Sequence, residues 1–193
     1  MLPRQSHLLL LLPLLTLASC GRQAAGSAPT SEAELSGPAP EAVMDAQDTL
    51  PDGAQLSAQS GTKLSDATAR SRVYAAGISV SSSGGCSNRN VNTCTSLEQV
   101  NSGTIDGIIT LKRASGCSIT ITGGTETGHA GGTYSHWNGY KLDISKNTCI
   151  NTYITGNFPR AGTRGDAAPL YKSAAGNIYA NEYWANHWDI LYY

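Results

Sequence analysis

The chain has 193 residues, with 14 Asp or Glu against 13 Lys or Arg and a net charge of −1. That balance gives no basis for a nucleic-acid partner, which would require a clustered basic surface. No internal repeat, heptad pattern or phosphate-binding glycine motif occurs, so solenoids, coiled coils and nucleotide-binding α/β folds are set aside.

The first residues read as an export signal. Arg4 supplies the positive charge and Leu8 to Ala18 is apolar apart from Thr16, a run too short to span a bilayer. It ends in Leu17-Ala18-Ser19-Cys20, which resembles a bacterial lipobox. Residues 1–19 would then be a lipoprotein signal peptide, and Cys20 the acylated first residue of the mature chain. Its acyl chains would suffice for stable membrane anchoring. Gly21, rather than Asp, at the following position resembles lipoproteins sorted to an outer membrane, so the expected address is the bacterial cell envelope, facing the periplasm.

Residues 20–70 are rich in Ala, Ser, Gly and Pro and carry seven acidic residues against Arg22, Lys63 and Arg70. Such a segment buries too little apolar surface to offset its ordering entropy, so a disordered acidic linker is expected. Every Trp, Tyr and Phe lies at or beyond Tyr74, which leaves one domain over residues 71–193.

Within that domain, Tyr74 to Ser81 alternates like a strand. Thr95-Ser96-Leu97-Glu98 has the form of a capping box and predicts a short helix. Ile105, Ile108, Ile109 and Lys112 share a face at helical spacing, and Ser115-Gly116 is a stop signal. Cys117 to Thr122 alternates as a strand, and Ser145 to Asn157 reads as a helix. Leu170–Lys172, Asn177–Ala180 and His187–Tyr193 read as strands, the first two joined through a hairpin. Helices and antiparallel strands in blocks predict an α+β fold with a small antiparallel sheet.

Four cysteines follow Cys20: Cys86, Cys94, Cys117 and Cys149. An even number in an exported domain implies disulfides, with three possible pairings. Closeness in sequence favours Cys86 with Cys94 and leaves Cys117 with Cys149.

The stretch Ser135-His136-Trp137-Asn138-Gly139-Tyr140-Lys141-Leu142-Asp143 contains the strongest hairpin signal in the chain, because both central residues of a type I′ turn need positive φ. If Asn138-Gly139 forms such a turn, His136 pairs with Lys141. Strand parity then puts His136 and Asp143 on one face, about 7–8 Å apart along the diagonal. They are either two solvated polar residues or part of a metal site. His187 in the last strand and His129 in a Gly-rich loop are the other histidines beyond the signal.

The pattern His136, Gly139, Asp143, preceded by Ser135 and a Gly-rich stretch and followed by a C-terminal His187-Trp188-Asp189, resembles the zinc D-alanyl-D-alanine carboxypeptidases. That superfamily also includes phage endolysins and the hedgehog signalling domain. The likeness covers most of the segment from Ile78 to Tyr193. It implies a hedgehog/DD-peptidase-like fold, with His136, Asp143 and His187 as ligands of one Zn2+ and an open fourth position. The implied activity is hydrolysis of peptidoglycan stem peptides by a monomer, as a carboxypeptidase or an endopeptidase. Glu182 would be the general base, although the relatives place their glutamate three residues before the histidine, where this chain has Trp184. A two-residue insertion over 183–186 would absorb the difference. Ser135, Glu126 and His129 would face substrate. An arginine that grips the substrate carboxylate is missing from the Gly-rich segment, so Arg113 or Arg164 would have to replace it, or the enzyme is an endopeptidase. The alternatives are a non-catalytic zinc-containing binding module of the same fold and a metal-free surface adhesin.

Overall fold

The computed structural model describes residues 61–193. The lipoprotein signal, Cys20 and the linker as far as residue 60 lie outside the described residues. The fold nevertheless reaches back past the expected boundary at residue 70. Strand β1 (Lys63–Leu64) and helix α1 (Asp66–Ala75) belong to it, and α1 buries Ala69 and Val73.

Helix α1 starts where Ser65 accepts a hydrogen bond from the Thr68 amide, and Asp66 pairs with Arg70 one turn on. It runs through the first two residues of the predicted strand, which shrinks to β2 (Ser79–Val80). β3 (Val100–Asn101) pairs with β1 and leads into α2 (Ser102–Ser115), which ends on Gly116 in the left-handed conformation, as the stop signal predicts. β4 (Thr120–Gly123), β5 (Lys141–Ser145) and α3 (Thr148–Asn157) follow, then β6 (Arg160–Thr163), β7 (Pro169–Lys172), β8 (Ile178–Glu182) and β9 (His187–Leu191). The chain is α+β, with a seven-stranded sheet in the order β2-β4-β5-β9-β8-β7-β6, parallel only at β2–β4.

Two local signals fail, the first because distant partners take its donors and acceptors. No helix forms at 95–98. Glu98 accepts from the Asp66 amide at 2.8 Å, the Leu97 amide donates to Asp66 at 2.7 Å, and Gln99 adopts φ +64°. Nor does Asn138-Gly139 form a type I′ hairpin. Residues 135–140 close a single helical turn in which the Gly139 amide donates to His136 O and the Tyr140 amide to Ser135 O, with positive φ at Gly139 alone. The predicted pairing of His136 with Lys141 is therefore absent.

Sheet parity separates core from site. Leu142 and Ile144 of β5, Trp188 and Ile190 of β9 and Tyr179 of β8 turn to the main core beneath Ile105, Ile108, Ile150 and Ile154 of the helices. The Trp188 indole donates to Asn151 in α3, so a fully buried aromatic keeps its polar atom satisfied. The opposite face carries Asp143, His187 and Asp189, beside a smaller apolar cluster of Ala168, Leu170, Ile178, Ala180 and Leu191.

The disulfides are Cys86–Cys94 and Cys117–Cys149, the pairing that sequence closeness favours.

Candidate metal centre

The centre is assembled from three places in the chain. The turn at 135–139 carries His136, which is 3 % exposed. Gly139 holds the turn in place: its carbonyl accepts from the Asn101 amide and Thr104 Oγ1 at 3.1 and 2.7 Å, and a Cβ on it would stand 2.5 Å from Gln99 O. His136 Nδ1 lies 2.7 Å from the carbonyl of Gly124 and can only donate to it, which leaves Nε2 as the nitrogen that faces the site.

Strand β5 supplies Asp143, packed over Gly123 of β4 so closely that a Cβ there would stand 2.4 Å from Asp143 Oδ2. The β8–β9 hairpin supplies Glu182, His187 and Asp189. Register pairs Asp143 directly with Asp189 and His187 directly with Glu182. The hairpin loop at 183–186 thus allows a glutamate five residues before the histidine to face it, and Glu182 Oε2 is 2.6 Å from His187 Nε2.

Asp143 Oδ1 lies 3.4 Å from His136 Nε2 and 3.6 Å from His187 Nε2. The residues that the chain separates by 51 positions thus converge on one carboxylate oxygen, and that oxygen has no hydrogen-bond partner. Burial opposes charge on His136, yet the carboxylates of Asp143 and Asp189 hold its imidazolium well above the usual histidine range. His187 is raised as well: burial works against it, and Glu182 and Asp143 outweigh burial. For Asp189, Lys141 and His136 overcome the cost of burial and keep the carboxyl well below its ordinary range.

His129, His136 and Asp143 form a group that could hold a metal ion, with one donor atom from each lying within 4.8 Å of the others. The His129 and His136 rings are stacked, with centroids 3.8 Å apart and planes 13° from parallel. Their ring nitrogens therefore lie in nearly parallel planes. His129 Nε2 is also held by Glu126 at 3.1 Å, and its Nδ1 stands 3.8 Å from Asp143 Oδ2.

The residues expected to face substrate have other work. Glu126 is buried and accepts from the amides of Ser96 and Gly124 as well as from His129; these bonds keep its carboxyl below the ordinary range despite burial. Ser135 is buried and accepts from the Asn138 amide. Arg164 is 6 % exposed, and its guanidinium pairs with Asp166, Asp189 and Glu182. Arg113 is exposed in the last turn of α2 and joins none of the contacts of the site. Lys141, on the same strand as Asp143, is fully buried against Asp189. Of the aromatics near the motifs, Trp188 belongs to the core, while Tyr183 and Trp184 are exposed at the tip of the β8–β9 hairpin.

In comparisons with protein-family models, with curated proteins and with solved structures, nothing matched this chain.

Proposed function

We propose that the domain is a zinc-dependent peptidase acting on peptidoglycan stem peptides, with His136, Asp143 and His187 as metal ligands, in a fold of the hedgehog/DD-peptidase type. The observation that carries this is the spacing around Asp143 Oδ1. A tetrahedral zinc with bonds of about 2.0–2.2 Å sets its donors about 3.3–3.6 Å apart. The two imidazole nitrogens stand 3.4 and 3.6 Å from that oxygen, too far for hydrogen bonds between charged groups and suited to a shared ion. His187 fits this role better than His129, whose ring is stacked on His136 and whose nitrogen lies 3.8 Å from the other Asp143 oxygen.

Zinc in such a place supplies Lewis acidity for the scissile carbonyl and makes water a better nucleophile near neutral pH. The remaining work is done by side chains. Glu182, held at Oε1 by Arg164, offers Oε2 beside His187 to take a proton from the attacking water and return it to the leaving amine nitrogen. Arg164 orients this carboxylate. Because Arg164 is committed and Glu126 adds negative charge to the loop, an endopeptidase, which needs no grip on a terminal carboxylate, suits the site better than a carboxypeptidase.

The lipid anchor proposed at Cys20 would bring the domain to the cell wall as a monomer, and the two disulfides suit an oxidising compartment. Replacing Cys20→Ser should move the protein from the membrane to the soluble fraction; continued membrane retention would remove the anchor from the proposal.

Mass spectrometry of muropeptides after incubation with the zinc-loaded protein tests the activity. New stem-peptide fragments are expected. Unchanged sacculi and stem peptides, with the metal in place, would leave the second reading, a non-catalytic zinc-containing envelope-binding module. That reading draws on the double engagement of Glu182, whose Oε1 is held by Arg164 and whose Oε2 is held by His187.

A further inference from the structure

We infer that Asp189 is a fourth protein donor to the ion held by His136, Asp143 and His187, an assignment that rests on the metal site proposed above. Asp143 and Asp189 are direct partners across β5 and β9 and project from the same face. Like charges in that relation repel, and here both are buried, with Asp143 4 % and Asp189 5 % exposed. His136 lies between the two carboxylates and offsets part of that repulsion.

The offset for Asp189 is one-sided. Its Oδ2 accepts from Arg164 Nη1 at 2.7 Å and lies 3.4 Å from Lys141 Nζ. Its Oδ1 has no hydrogen-bond partner, and neither has Oδ1 of Asp143. Each oxygen has the His136 imidazole at ion-pair distance but no hydrogen bond of its own, so both are buried and incompletely satisfied. Both stand at nearly the same distance from His136 Nε2: 3.4 Å for Asp143 and 3.5 Å for Asp189. The second distance falls within the same donor separation of about 3.3–3.6 Å that a tetrahedral zinc requires. One cation would satisfy both oxygens and turn their repulsion into shared attraction.

Arg164 and Lys141 then have a defined task. By fixing Oδ2 they set the rotamer that leaves Oδ1 facing the His136 imidazole, and they offset one of the two negative charges. The resulting donor set, two imidazoles and two carboxylates, is richer in oxygen than a three-ligand zinc site. Water would enter as a fifth ligand, and divalent cations that accept five or six donors, such as cobalt or manganese, should bind as well.

The test is a cobalt titration of the full chain, read by affinity and by the visible d–d bands, for the wild type, Asp189→Asn, Asp189→Glu and His187→Ala. If Asp189 is a ligand, Asp189→Asn lowers affinity beyond the roughly 10–100-fold expected for losing an outer partner, and both Asp189 variants change the band positions and intensity. Asp189→Glu keeps a charge for Lys141 and Arg164, so it remains informative if Asp189→Asn fails to fold. Bands identical to the wild type in the Asp189 variants, with affinity reduced only within the outer-partner range, would overturn the assignment while leaving the three-ligand site intact. A wild-type chain that takes up no cobalt or zinc would overturn both.

Discussion

Glu182 and His187 face each other across the β8–β9 hairpin with Oε2 and Nε2 2.6 Å apart, joined by a four-residue loop in which Asn186 takes φ +56°. Antiparallel register, rather than helical spacing, brings this acid to this imidazole.

Glu182→Gln should therefore leave zinc bound while lowering stem-peptide hydrolysis on the order of 10²–10⁴-fold, the usual contribution of a positioned general base. Metal content per chain and initial rates check it together. Retention of most of the rate would assign the proton transfer to another group.

Imidazole ligation would make metal binding depend on pH. His136 and His187 both have raised pKa values, so their contribution to the metal-free fold is complete below about pH 6.5 and fades as pH rises through the raised values. Asp189 works in the other direction: its depressed value gives stability that is present above about pH 3.9 and lost as pH falls through the folded value. With a chelator present, thermal stability from these groups should be greatest in the mildly acidic range between those limits. Zinc competes with protons for the same nitrogens, so the rise in Tm on adding zinc should grow from pH 5 to pH 9. A zinc-induced rise that is flat with pH would argue against imidazole ligation.

Gly139→Ala should destabilise the domain by about 1–3 kcal/mol through its φ of +76°, with a further cost from the 2.5 Å approach to Gln99 O. Since the same turn presents His136, metal affinity should fall with stability. Urea unfolding and cobalt titration of one preparation would show both losses. A variant of wild-type stability would mean that the turn tolerates a side chain.

The two disulfides should differ in weight. Cys117–Cys149 closes a separation of 32 residues and ties the end of α2 to the first turn of α3, whereas Cys86–Cys94 closes only 8. Loop-closure entropy makes the longer bridge worth about 1 kcal/mol more. Paired Cys→Ser variants compared by denaturant midpoint should show the larger drop for 117/149. Equal drops would point to native-state packing in place of chain entropy.

From the sequence alone came the α+β class, α2 with its glycine stop, the three C-terminal strands and the disulfide pairing. Each rests on information within a few residues: apolar period, turn chemistry, or the short loop between two cysteines. Motif order singled out His136, Asp143 and His187, and the structure places the two imidazoles 3.4 and 3.6 Å from Asp143 Oδ1. The expected route between them was different, because Asn138-Gly139 closes a helical turn packed on residues 99–101 instead of a hairpin. What only the tertiary structure decided is the use of the charged groups. Arg164 lies inside a carboxylate cage, Lys141 is buried on Asp189, Glu126 holds His129, and Asp143 faces Asp189 across a strand pair. A charge acquires its role from what surrounds it at 3 Å, and Asp189, the partner that Arg164 and Lys141 share, lies 25 and 48 positions from them.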